Sequence, residues 1–240
     1  MIKDYRPYYI KCAWYRLLKL YVRHKLAPQL TSIGRHSFIV KPWHIEIFGG
    51  PVRIGNHITL LGCSDKKTRL TVWSDQDNIN GIRIGDHVLI APGVRISAAS
   101  SISIADSCML ASHVYITDSD WHGIYDRSLP PEVASPVTLE ENVWVGDSAI
   151  VCKGVTIGKN SIVGAGSVVT SDIPANVIAA GNPAKIVKQL DPDKPMITRK
   201  DRFADADKMT RDLEFAEKKG LQGNTIFGWA RSLVFPEKNQ

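Results

Sequence analysis

A strict six-residue period constrains this chain more than any other feature. Counting from Leu139, every sixth residue is aliphatic: Val145, Val151, Ile157, Val163 and Val169. Four residues after each comes a second row that is small or aliphatic: Val143, Ala149, Val155, Ser161, Ser167 and Ile173. Gly146, Gly158 and Gly164 follow the aliphatic directly. An α-helix turns about 100° per residue, so a six-residue step would scatter the apolar side chains around its axis. A chain that turns a corner after each short extended segment uses this period fully. Each aliphatic then points into a shared interior, and each corner takes a small residue. The pattern predicts a stack of short parallel strands, a parallel β-helix.

The rest of the chain is organised around that run. The repeat begins raggedly near Ile54 and Leu60, and the polar segment 65–80 breaks its phase. A cleaner register runs through Ile84, Ile90, Ile96 and Ile102, then shifts by two residues to Ile104, Leu110 and Ile116. Phase is lost again from Asp118 to Pro136, a polar and Pro-rich stretch that reads as an extruded loop. Loops carried by rigid scaffolds are where binding and catalytic groups concentrate. Turn signals at Asp172-Ile173-Pro174 and Gly181-Asn182-Pro183 end the repeat. Three segments follow: an N-terminal helix and cap over 1–50, the repeat over 51–183 with loop 118–136, and a helical extension over 184–240. Within the last, 184–190 and 202–219 read as helices.

Before the repeat, residues 8–26 read as an amphipathic helix. Ile10, Ala13, Trp14, Leu17, Leu20 and Tyr21 share one side, and Arg16, Lys19 and Arg23 the other. Such a helix either covers the open end of a coil stack or lies on an anionic membrane surface. The net charge of +6 favours anionic partners in general. The apolar runs are too short to cross a bilayer, and no signal-peptide pattern is seen. Cys12, Cys63, Cys108 and Cys152 are scattered and read as buried thiols of a reducing compartment.

Ile84-Gly85-Asp86, Ile90-Ala91-Pro92-Gly93-Val94, Asn142-Val143-Trp144-Val145-Gly146, Gly154-Val155-Thr156-Ile157-Gly158 and the segments 164–170 and 179–185 resemble the hexapeptide-repeat acyltransferases. The likeness is to the galactoside/maltose acetyltransferase branch and to polysaccharide O-acetyltransferases. It covers roughly 84–190. It implies a left-handed parallel β-helix, assembled as a homotrimer, that moves an acetyl group from acetyl-CoA to a sugar or surface-polysaccharide hydroxyl. It places the general base at His122, within Asp120-Trp121-His122-Gly123, with Asp118 or Asp120 as candidates to orient the imidazole. It places donor contacts at Trp144, Asp147, Ala165, Thr170 and Ser171, and at Lys185 and Lys188 toward the nucleotide end. Ser171 stands where the family often has Lys; Lys185 and Lys188 stand where it often has Arg, and Lys lacks the bidentate fork.

A positioned imidazole suits this chemistry, because a sugar hydroxyl is a poor nucleophile at neutral pH until its proton is taken. No Ser or Cys sits in a nucleophile setting, so direct attack is expected. A cytoplasmic location is expected, with neither a metal nor nucleic acid involved. Three rivals stay open: N-acetylation of an amino sugar nucleotide, a non-catalytic scaffold, and a metal-dependent anhydrase on the same scaffold. The last needs three converging histidines, and His87, His113 and His122 do not have that family's spacing. In the segment before Ile84, Asp75, Asp77, Asn78 and Asn80 could bond a sugar, although a turn is the favoured reading. Arg127 either meets an anionic acceptor or ties down its loop.

Overall fold

The structure, a computed structural model, describes residues 4–74, 79–129 and 133–235. Three sheets of short strands wrap one interior. Each turn of the chain lays one strand in each sheet, so strands adjacent in space come from successive coils. Face A joins Ser32–Ile33, Val52–Ile54, Gly81–Ile84, Ser101–Ile104, Val137–Leu139 and Thr156–Ile157. Face B runs from Phe38–Val40 through Leu89–Ile90 and Trp144–Val145 to Val177–Gly181 and Ala184–Gln189. Face C runs from Ile45–Phe48 through Arg95–Ala98 and Tyr115–Thr117 to Val168–Val169. Coil-to-coil pairing is parallel, in registers such as Ile102↔Val137 and Val145↔Val163.

Both sequence rows point inward. Leu139, Val145, Val151, Ile157, Val163 and Val169 are fully buried, as are Val143, Ala149, Ser161 and Ser167. The polar members are satisfied where they stand. Ser161 donates to the Pro174 carbonyl at 2.7 Å and accepts from the Val177 N–H at 3.1 Å.

The corners obey a different rule from the one the glycines suggest. Gly146 and Gly158 lie outside the left-handed region. They are required by approach: a Cβ at Gly146 would stand 2.6 Å from the Ala165 nitrogen, and one at Gly158 2.4 Å from the Ala175 nitrogen. After these two the left-handed turn is made two residues later, by Ser148 and Asn160. At the corner joining face A to face B the left-handed residues are His36, His57, His87, Ser107, Asn142, Asn160 and Asn176, with φ between 54° and 63°. Asn tolerates this conformation better than most side chains. The amides form their own ladder, Asn142 donating to Asn160 at 3.1 Å and Asn160 to Asn176 at 2.9 Å. The imidazoles of His36, His57 and His87 instead stack with centroids 5.0 Å apart.

Several boundaries differ from the sequence expectation. Coiling begins at Ser32, inside the expected cap, because Ser32–Ile33 already pairs with Arg53–Ile54. The supposed break at 65–80 contains a face C strand, Thr68–Val72, whose inward row holds Thr68 beside Leu70 and Val72 and so hides the phase. Asp75, Asp77 and Asn78 lie outside the described residues. Segment 184–190, expected to be helical, is a strand antiparallel to Val177–Gly181. Its turn places the chain back on an exposed sheet edge, which main-chain pairing satisfies better than a short isolated helix can. Of the four free cysteines only Cys108 is buried; the others are partly exposed. Burial pushes the Cys108 thiol up to about 12.

At the base, helix α1 (Tyr8–Tyr21) passes into a π-turn at Val22–Leu26, and Leu26 plugs the core. The C-terminal segment folds back along the coils as α2 (Arg199–Arg202), α3 (Ala206–Gly220) and α4 (Ile226–Val234). Arg199 donates to the His87 carbonyl at 2.7 Å, and Phe203 lies on the His57 and His87 rings, 5.8 Å from each. No helix among the described residues is long and apolar enough to cross a membrane.

Two outcomes follow. Gly158→Ala forces successive coils apart and should lower the melting temperature by several degrees, whereas Lys159→Ala, on the exposed side of the same corner, should not. Burial, and then the neighbouring His57, hold the His87 pKa below its ordinary 6.5. The unfolded chain therefore binds the extra proton first. Stability is intact above about pH 6.5 and falls as the pH drops from there toward the folded-state value. Urea melts from pH 7.5 to 5 should show a smaller loss in His87→Asn, which keeps the left-handed turn.

Candidate functional site

The loop expected to carry the chemistry leaves face C after Tyr115–Thr117, at the corner leading to face A. Its neck is pinned. Asp118 is fully buried, and its carboxylate accepts the N–H groups of Ala99 at 2.7 Å, Ser100 at 2.8 Å and Ser101 at 2.7 Å. Those three donors belong to the corner of the preceding coil. That corner follows Ala98 and precedes Ile102, where the aliphatic register slips by two. The two extra residues of that longer coil need partners for their N–H groups, and Asp118 supplies them. Asp118 is therefore a fastening for the loop and is not turned to His122.

The next residues are equally held. Ser119 is buried; its N–H donates to the Thr117 hydroxyl at 3.3 Å, and its own hydroxyl accepts the Trp121 N–H at 3.2 Å. Trp121 has φ 69°, an uncommon conformation for a bulky residue. Its indole N–H reaches the hydroxyls of Thr117 at 3.1 Å and Tyr115 at 3.3 Å. The Arg95 guanidinium stacks over the Tyr115 ring at 4.2 Å. The loop closes where the Ser135 N–H donates to the Asp118 carbonyl at 2.9 Å. Residue 122 is thus presented by a rigid wall, and its imidazole is exposed.

Asp120, expected to orient that imidazole, is ion-paired to Lys153, on the next coil at the same corner. The pair ties the loop to the coil above, and no hydrogen bond joins Asp120 to His122 among the described residues. Beside it, burial first and the Asp120 carboxylate second raise the Cys152 pKa, so Cys152 is not held as a reactive thiolate. Arg127 is exposed on the loop.

The expected donor contacts fall on different parts of the prism. Trp144, 44% exposed, stands on face B between Met109 and Ile162. Asp147 and Ala165 are exposed at the corner joining B to C, and Lys185 and Lys188 on the last face B strand. Thr170 and Ser171 are exposed at the corner joining C to A, the corner that carries His122. In a three-sided coil, that corner lies opposite face B. One chain therefore groups His122, Thr170 and Ser171 and holds Trp144, Asp147, Ala165, Lys185 and Lys188 away from them. His87, His113 and His122 likewise sit at three different corners, so one chain does not gather them.

The comparisons with known proteins agree with this architecture. The bacterial transferase hexapeptide model, six repeats, matches residues 136–171. The galactoside O-acetyltransferase of Escherichia coli K12 is 31% identical over 167 residues, 68% of this chain and 66% of that protein.

The chain carries the bacterial transferase hexapeptide repeat.

Another relative, an E. coli K12 protein provisionally named the lipopolysaccharide biosynthesis O-acetyl transferase WbbJ, is 36% identical over 119 residues, 45% of this chain and 60% of its own length. The chain thus spans just under two thirds of these curated relatives. A variant of AntD, an N-acyltransferase from Bacillus cereus solved with dTDP and coenzyme A, superposes with a TM-score of 0.52 at 19% identity, over 76% of this chain and 92% of that one. At that identity the likeness shows the fold alone, the left-handed β-helix.

Sequence reading misses Trp121 and Lys153. A bulky residue in a left-handed turn carries no local signal, and the lysine acquires its meaning only when the next coil stacks. The neck itself can be tested. Asp118→Ala strips partners from three N–H groups, each worth about 1–3 kcal/mol when left unpaired. The variant should lose at least about 2 kcal/mol in urea unfolding and become cleavable by protease within 119–135, with the coil stack still folded by circular dichroism.

Proposed function

We propose that this protein transfers an acetyl group from acetyl-CoA to a hydroxyl of a sugar, in a surface-polysaccharide precursor, with His122 as general base. The observation that carries this reading is the exposed His122 imidazole on a neck fastened by Asp118, Trp121 and the Asp120–Lys153 pair. The names of the galactoside and lipopolysaccharide relatives support the hydroxyl acceptor, and the family's repeat supports the acyl-CoA donor.

The step needs no covalent enzyme intermediate. The imidazole removes the acceptor hydroxyl proton as that oxygen attacks the thioester carbonyl carbon. The tetrahedral adduct collapses with cleavage of the C–S bond, and the imidazolium returns the proton to the departing CoA thiolate. The raised pKa of Cys152 agrees with direct attack.

The split placement of the expected donor contacts supports a homotrimer. Its groove would bring one protomer's His122 corner against the face B side of its neighbour. The thioester would lie between them, with Trp144 and Asp147 near its reactive end, Ala165, Thr170 and Ser171 further along, and Lys185 and Lys188 toward the nucleotide phosphates. A cytoplasmic location follows from the need for acetyl-CoA.

His122→Ala should lower turnover at least about a hundredfold while leaving CoA affinity nearly unchanged. Labelled acetyl-CoA offered with paired hydroxyl and amino sugars reads the acceptor at the same time. Full activity in the variant would move the base elsewhere, and exclusive labelling of amines would replace O-acetylation by N-acetylation.

A further inference from the structure

Helix α1 sits on the protein with its apolar side outward. At about 100° per residue, Tyr9, Leu20, Ala13, Leu17, Tyr21 and Trp14 fall on one continuous arc of roughly 140°. Every one of them is exposed, while Ile10, within the same arc, is half-buried. Leu17 is 59% and Leu20 50% exposed, values unusual for leucines of a covering helix. The side turned to the protein is fastened by polar contacts. Lys11 stands 2.8 Å from Glu217 of α3, and the Tyr15 hydroxyl donates to the same carboxylate at 2.9 Å. Asn224 donates to the carbonyls of Asp4 at 2.7 Å and Arg6 at 3.0 Å, fixing the chain just before the helix. The orientation is thus built in, and it is the reverse of what capping the coil stack requires. No residue of α1 is buried.

The charge along this segment of the chain has one sign. Residues 5–45 contain eight Lys or Arg and no Asp or Glu. Arg16 borders the arc, Lys19 lies further round the helix, and Arg23 and Lys25 continue the cationic surface into the following π-turn, all exposed. None of these four is in an ion pair among the described residues. Trp43 extends the aromatic surface, its ring 5.9 Å from that of Trp14 and 6.1 Å from that of Tyr21.

We propose that this face is a docking surface for an anionic phospholipid bilayer, on which α1 lies in the plane of the interface. An outward apolar arc supplies burial among acyl chains, Trp and Tyr suit the headgroup level, and the cationic border meets lipid phosphates. Charge selects lipid over a second copy of the chain. Two copies meeting symmetrically through this face would bring two cationic patches together, with no Asp or Glu in residues 5–45 of either to offset them. The inference stands apart from the acetyltransferase reading, since it uses none of the residues at the His122 corner.

The test is flotation of the full-length protein with phosphatidylcholine vesicles, with and without phosphatidylglycerol, at low and high salt. The expected result is co-flotation with the phosphatidylglycerol vesicles alone, weakened by salt. Leu17→Glu/Leu20→Glu should abolish it. Arg16→Gln/Lys19→Gln/Arg23→Gln should weaken it about a hundredfold, at roughly fivefold per lost cation. All five side chains are exposed, so circular dichroism and the mass by light scattering should not change. Failure of the unaltered protein to float, or equal flotation of Leu17→Glu/Leu20→Glu, would overturn the proposal. A change of mass in that variant would also overturn it, by assigning the face to contact between copies.

Discussion

The structure depends on how closely one coil lies on the next. Parallel backbone hydrogen bonds set a fixed spacing between coils, and every other feature has to fit within it. The interior can hold only two rows of aliphatic or small side chains per face. The corners can hold no Cβ at Gly146 or Gly158, where it would press on the chain above at 2.6 and 2.4 Å. The turn itself is displaced to residues that accept positive φ, hence the run of His, Ser and Asn at one corner. A scaffold of this kind is stiff along its axis, because no coil can move without breaking bonds to both neighbours. Stiffness lets an exposed imidazole be held in place without burying it.

The loop that carries His122 grows out of an irregularity in that same spacing. Where the register slips by two residues, the longer corner leaves N–H groups that the adjacent strand cannot satisfy. A single buried carboxylate, Asp118, takes all three. The slip and the loop are thus one structural event: the residue that repairs the first anchors the second. From there Ser119, Trp121 and the Asp120–Lys153 pair carry rigidity outward to the imidazole. A loop of this length on a softer support would lose the placement that proton transfer needs.

The interior rows of Leu139–Val169 were legible in the sequence, because their six-residue period is a direct image of the three faces. Strand Thr68–Val72 was hidden for a physical reason: Thr68 substitutes a hydroxyl for an aliphatic and hydrogen-bonds the Leu61 carbonyl at 2.8 Å. Segment 184–190 was misread as a helix because pairing to a sheet edge is a tertiary fact that outweighs local propensity. The loop position of His122 was visible as a break in phase. What surrounds it was not. That Asp120 would pair with Lys153, that Asp118 would serve the preceding coil, and that α1 would turn its leucines outward depend on contacts between residues distant in sequence. The acceptor leaves no comparable mark, since Asn80 and Arg127 stand in no pattern that selects a sugar.

The chemistry proposed here requires two copies of the chain, because His122 and the face B side of the prism point apart within one. Subunit mixing tests that requirement directly. His122→Ala chains and Ala165→Glu chains, the latter carrying bulk and charge into the expected donor groove, should each be nearly inactive alone. Unfolded together and refolded, they should regain activity, with about a quarter of the interfaces intact, pairing His122 of one chain with Ala165 of the other. If the mixture stays as inactive as its components while each retains its assembled mass, the site lies within a single chain and the account is wrong.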